Sequence, residues 1–192
     1  MTTWQAGGLW RGTYFQIPVV TPEKILLSEA IEALLDGGSE PMAIPRLPGL
    51  RAPQGASGGS VPHSDETPFE DGALYGPAAL NGTLDADAEV FATTLSFSWP
   101  GLSHLVGGDF EVMAPEGPRL HRIKRFLDRS GTAGAYNYDV EISPPLRCDL
   151  AVGAVLNFVD PHCLMRLANP EAFAAALEMN RWGFIDAEFV EA

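Results

Sequence analysis

The stretch Tyr136-Asn-Tyr-Asp-Val-Glu-Ile-Ser-Pro-Pro-Leu-Arg147 constrains this chain more than any other. Tyr136, Tyr138, Val140 and Ile142 alternate with Asn137, Asp139, Glu141 and Ser143, and a period of two sends one set to a core and the other to water. That is a half-buried β-strand. The prolines at 144 and 145 have no N–H to give a ladder, so the strand ends before them. The same period recurs upstream, where Thr93, Leu95, Phe97 and Trp99 alternate with Thr94, Ser96 and Ser98. Phe110 and Val112 likewise alternate with Asp109, Glu111 and Met113. Downstream, Ala154 to Val159 places Leu156 and Phe158 on one face, Leu164 to Leu167 is a short strand, and Phe184 to Glu191 sets Ile185, Ala187 and Phe189 against Asp186, Glu188 and Val190. Half-buried strands in succession predict an antiparallel sheet curled into a barrel or sandwich.

One helix accompanies them. Thr21-Pro22-Glu23 supplies an N-cap, a proline at the first helical position and an early acid. Leu27, Ile31, Leu34 and Leu35 follow at helical spacing, and Gly37-Gly38 offers a left-handed stop, so a helix is expected over about 22–36 with these four residues buried on the sheet. Ahead of it, Trp4, Leu9, Trp10, Tyr14, Phe15 and Ile17 form a strand-like aromatic run in or against the sheet. The fold class is therefore mainly β with one flanking α-helix, in a single domain of residues 1–192.

Between about 39 and 75 the composition turns to Pro, Gly and Ser, with the tract Gly55-Ala-Ser-Gly-Gly-Ser60, and predicts a long loop or arm around a short extended piece at 42–50. The glycines are not a phosphate loop, because no Lys-Ser/Thr follows them. Asn169-Pro170-Glu171 would cap a short helix through Leu177, and Asp128 to Gly134 would be the loop of a hairpin into the Tyr136 strand.

No apolar run approaches the roughly 18 residues needed to span a bilayer, and the N-terminus lacks a basic and apolar leader. Synthesis in the cytoplasm and no membrane partner are expected. A formal net charge of −13 argues against gripping nucleic acid, which needs cations to displace counterions. The local exception is Arg119, Arg122, Lys124, Arg125 and Arg129, a basic segment that reads as a solvated strand face, a partner for acidic neighbours, or a subunit interface. Asp85, Asp87 and Glu89 read as a solvated acidic edge. Cys148 and Cys163 read as free thiols.

The four histidines, His63, His104, His121 and His162, stand in no metal-ligand spacing, and no nucleophile elbow, zinc-protease or dinucleotide motif is present. Adjacent Ser103 and His104 point apart in extended chain and make no catalytic pair. No catalytic residue, cofactor or metal is assigned, and an enzyme is not expected. A jelly-roll-like barrel acting on carbohydrate through paired carboxylates is the alternative from another class.

In several short motifs the chain resembles the distal tail proteins of long-tailed bacteriophages and gene-transfer particles. These motifs are Ser98-Trp99-Pro100, Leu105-Val-Gly-Gly-Asp109-Phe110, the basic strand at 119–125, Glu141 to Arg147, Asn157 to Pro161 and Leu164 to Leu167, with the N-terminal aromatic strand and the helix ending near Gly38. The resemblance implies a tail-tube-like β-barrel assembled as a hexameric ring in the virion, at the tail tip. Its partners would be the tail tube protein, the baseplate hub protein and the tape-measure protein, with DNA passing through without specific binding. Another minor tail or tail-completion protein is the nearest alternative. A ring needs two unlike patches, and the basic segment 119–129 and the acidic segments 65–71 and 85–89 are the expected pair.

Overall fold

The computed structural model describes residues 2–6, 8–46, 81–101, 104, 105, 107–173 and 183–192. In chain order these form β1 (Thr2–Ala6), β2 (Leu9–Val19), α1 (Pro22–Leu35), β3 (Met42–Pro45), β4 (Gly82–Leu84), β5 (Thr94–Trp99), β6 (Asp109–Ala114), β7 (Gly117–Thr132), β8 (Ala135–Ser143), β9 (Val155–Leu156), β10 (His162–Leu167) and β11 (Gly183–Glu191). The protein is mainly antiparallel β, with α1 the single α-helix among the described residues. The Gly55–Ser60 tract, most of the expected arm and the acidic segment 65–71 lie outside the described residues. The chain divides into two compact units, residues 1–44 with 163–192, and residues 45–162.

The first unit is a five-stranded sheet in the order β1-β2-β11-β10-β3. The aromatic N-terminal run is a hairpin rather than one strand, with Ala6 paired to Leu9 across its turn. In β11 the alternation holds as expected: Ile185, Ala187 and Phe189 are buried, and Phe184 and Asp186 are not. Glu191 continues that inward set and is buried as well, its Oε2 accepting the Trp10 backbone N–H at 3.1 Å. Asn169 fastens the following turn to β11, accepting the Glu188 N–H and donating to the Asp186 carbonyl. The expected helix from Asn169 is a 3-10 turn over Pro170–Phe173, and residues 174–177 lie outside the described residues.

Helix α1 starts where Thr21 predicts, its hydroxyl accepting the Lys24 N–H, and stops at Asp36, which takes the left-handed conformation one residue before the glycines. Its expected apolar stripe is corrected. Leu35 is 1% exposed, whereas Leu27 and Leu34 are 59% and 64% exposed. The line turned inward runs through Ile25, Ser28, Ile31 and Leu35. Successive residues sit about 100° apart around a helix, so with Leu35 inward Leu34 is carried off the contact face.

The second unit is a six-stranded antiparallel sheet in the order β6-β7-β8-β5-β4-β9. Its two outer strands meet again. Glu111 of β6 and Asn157, just past β9, form an antiparallel bridge with 2.9 Å hydrogen bonds in both directions, which closes the sheet into a small barrel. Tyr136, Tyr138, Val140 and Ile142 of β8 all face inward, as their spacing predicts, and β8 ends at Ser143 before a cis Ser143–Pro144 bond. Phe97, Trp99, Phe110, Tyr138 and Phe158 fill the interior, with Trp99 edge-on to Phe158 at 5.3 Å. Each such ring taken from water contributes about 1.5–3 kcal/mol. Gly82 is required by this packing, since a Cβ there would stand 2.9 Å from the Phe97 ring.

Strand β7 runs further than expected. The stretch 128–132 is strand, and the turn is Ala133-Gly134 alone. Bulges at Ile123/Arg125 and Phe126/Asp128 interrupt the alternation, which hid the strand's continuity from the residue pattern.

Candidate functional site

The basic segment lies along β7, and its cations are engaged within the unit rather than repelling one another. Asp109 opens β6 opposite Arg122. Its Oδ1 accepts from Arg122 Nε at 2.5 Å, and its Oδ2 accepts from Arg122 Nη2 at 3.0 Å and from Arg46 Nε at 2.8 Å. Burial alone would raise the Asp109 carboxyl, but the hydrogen bonds and charges of Arg122 and Arg46 outweigh it and hold the carboxyl below its ordinary value. Of the three readings of the basic segment, Arg122 takes that of a partner for an acidic neighbour, so reversing its charge would break the Asp109 cluster.

Lys124 and Arg125 share Glu141 on β8, at 2.6 and 2.5 Å, and the Lys124 hydrogen bond leads in lowering the Glu141 carboxyl. The Arg129 guanidinium lies 3.9 Å over the Phe126 ring. Arg119 stands apart from these four, half-buried opposite Val112. Strand β6 pairs with β7 from Gly117 as far as Arg122, and the Ile123 N–H donates to the Gly108 carbonyl at 3.1 Å. From Lys124 to Thr132, β7 has β8 on one side and no partner strand on the other among the described residues. The proposed acidic counterpart is exposed at Asp85, Asp87 and Glu89, and Asp87 also accepts the Val152 N–H at 2.7 Å.

A second feature sits on the barrel seam. The antiparallel bridge between Glu111 and Asn157 puts Met113 opposite Val155, but no pairing forms there and the strands splay. The gap is a cleft of about 320 Å³ lined by Asn81, Glu111, Met113, Val155, Asn157 and Val159. Glu111 is only 8% exposed. Its Oε2 accepts the His162 N–H at 2.7 Å and lies 3.3 Å from His162 Nδ1 and 3.5 Å from Asn157 Nδ2. All three contacts fall on one oxygen. The described residues place no donor on Oε1, which stays open to the cleft, while Asn81 Oδ1 is buried without a donor. Met113 and Val155, 66% and 55% exposed, form the rims. Alternation assigned Glu111 to the solvent face, and nothing in the sequence marks it as buried, because the strand that covers it is 46 residues away.

His121 is fully buried against the Phe110 ring, with Nδ1 2.9 Å from the Pro144 carbonyl and Nε2 unpartnered among the described residues. Burial pushes its pKa down to about 4. The imidazole is therefore neutral, with the proton on Nδ1 for Pro144. His104 stacks on Tyr136 at 4.3 Å and contacts the Tyr138 hydroxyl, while Ser103 lies outside the described residues, as does His63. Cys148 and Cys163 are both free thiols, and burial raises the Cys148 thiol. Among the described residues no three His, Cys, Asp or Glu side chains are placed to hold a metal, and no helix is long and apolar enough to cross a membrane.

Neither a scan against protein-family models nor a search of curated proteins returns a match to this chain.

Proposed function

We propose that the chain is a structural subunit of a phage-type tail tip, a ring component that joins a tail tube to a baseplate hub. The observation that carries this reading is the long β7–β8 hairpin, whose β7 edge from Lys124 to Thr132 is open among the described residues. Such an edge invites pairing with another chain, and its flanking charges and bulges restrict which partner fits. Lys124, Arg125 and Arg129 are exposed there and are the candidate interface cations, while Arg122 is tied to Asp109 and Arg119 is half-buried. The mainly β architecture and the short-motif resemblance support the same reading. A carbohydrate-active barrel is less favoured. Two-carboxylate chemistry needs a free acid on each side of the bond, whereas Glu111 alone lines the cleft among the described residues and nearby Asp109 is tied to two arginines.

Particle mass tests this directly. Mass photometry of the full chain across a concentration and salt series should show a closed particle of six 20.6 kDa copies. Arg129→Glu should shift that population toward monomer while near-ultraviolet circular dichroism stays unchanged. A parent protein that remains monomeric at every concentration, also when mixed with tail tube protein, would overturn the proposal.

A further inference from the structure

We infer that the seam cleft is a binding site for an alkylammonium or alkylguanidinium group, the chemistry of a lysine or arginine side chain. Glu111 is a buried carboxylate whose hydrogen bonds are all gathered on Oε2, so Oε1 keeps its acceptor capacity for whatever enters. A cationic donor that enters meets both the charge of this oxygen and its lone pairs. Asn81 Oδ1, the second acceptor without a donor, borders the same cleft. Asn157 cannot serve the ligand. Its amide is committed to Glu111 and the Asp160 carbonyl, and its oxygen to the Val159 and Asp160 N–H groups. The cleft thus offers two uncommitted acceptors, Glu111 Oε1 and Asn81 Oδ1, with the Asn81 amide as the donor beside them. Met113, Val155 and Val159 line the rest, an apolar collar suited to the methylene stem of such a side chain. An anionic ligand would face Glu111, and a purely apolar one would seal Oε1 from water.

The site exists because the barrel seam is closed by one bridge. The 111–157 pairing holds Glu111 in place, and the absence of a 113–155 pairing opens the space beside it. None of this depends on the chain assembling into a ring.

The full chain, labelled at its methionine methyls and backbone amides, is titrated with N-acetyl-lysine methylamide, N-acetyl-arginine methylamide, butylamine and the neutral isostere N-acetyl-norleucine methylamide. Saturable shifts are expected at the Met113 methyl and the His162 amide with the cationic probes, with dissociation constants of order millimolar. Glu111→Gln should weaken them by about tenfold or more. Met113→Lys, at an exposed rim position that does not disturb the bridge, supplies a competing ammonium and should abolish the response, so the test survives if the Gln variant fails to fold. Tighter binding of the amino-acid derivatives than of butylamine would identify a chain-borne side chain as the ligand, and equal binding a free amine. Equal binding of the norleucine probe, undiminished binding by either variant, or no saturable shift with any cation would overturn the inference.

Discussion

Acidification provides a sharp test of the barrel interior, because one imidazole, His121, is buried there. His121 has 0% of its surface exposed, satisfies Nδ1 through the Pro144 carbonyl and leaves Nε2 without a partner among the described residues. Protonating it would put a cation into an apolar interior, with Arg147 and Arg119 adding repulsion, so its folded pKa falls from 6.5 to about 4. The unfolded chain takes up the proton first. Stability is therefore whole above about pH 6.5, declines as pH falls through the window down to about 4, and is level below it as far as this group is concerned. At about 1.4 kcal/mol per unit, the loss attributable to His121 across that window is about 3 kcal/mol. The assay is guanidinium denaturation of the parent and of His121→Gln at pH 7, 6, 5 and 4, followed by the fluorescence of buried Trp99. Carboxylates titrate in both proteins, so the difference between the two pH profiles isolates the histidine. Parallel profiles, or an imidazole resonance of His121 that titrates near 6.5, would refute the burial argument.

Three further outcomes follow from the same geometry. Asp109→Asn should cost about 3 kcal/mol or more, because it strands the buried Arg46 guanidinium along with Arg122, and a denaturation midpoint equal to the parent's would show that the cluster is solvated. Leu35→Ala should cost about 2–5 kcal/mol, whereas exposed Leu34→Ala should stay within about 0.5 kcal/mol, a contrast that equal midpoints would contradict. Gly131→Ala should destabilise the β7–β8 hairpin by more than about 1 kcal/mol, since φ is +91° and a Cβ would sit 2.1 Å from the Ala135 carbonyl oxygen, and faster amide exchange at Ser130 and Tyr136 would register the loss.

Strands were legible wherever one face is apolar and the other polar. β8, β5 and β11 follow period two throughout, and α1 carries an N-cap and stop in view. Three things escaped that logic. The helical spacing places Ile31 and Leu35 correctly but adds Leu27 and Leu34 and omits Ile25, because the leucines and isoleucines of α1 occupy more than one side. β7 was cut short because two bulges each shift the alternation by one residue. Alternation puts Glu111 on the solvent side because its cover comes from a distant segment, Asn157, and the cleft between the two is invisible in the residue pattern for the same reason. The basic segment was visible as a charge cluster, but its partners Asp109 and Glu141 are neighbours only through strand register.

The first unit is built from two ends of the chain, with residues 45–162 between them, and its sheet order has a consequence for how the protein is made. β11 is the last strand in sequence, yet it lies between β2 and β10 in the middle of the sheet. Until it emerges from the ribosome, β2 pairs only with β1 among the described strands, and β10 is not joined to β2. The second unit is continuous and can complete its barrel first, which also shortens the effective distance between the two segments still waiting to pair. Nascent chains halted before residue 183 would thus carry a finished barrel and an unassembled sheet with open strand edges. That interval, rather than any step inside the barrel, is where a holding chaperone would be needed.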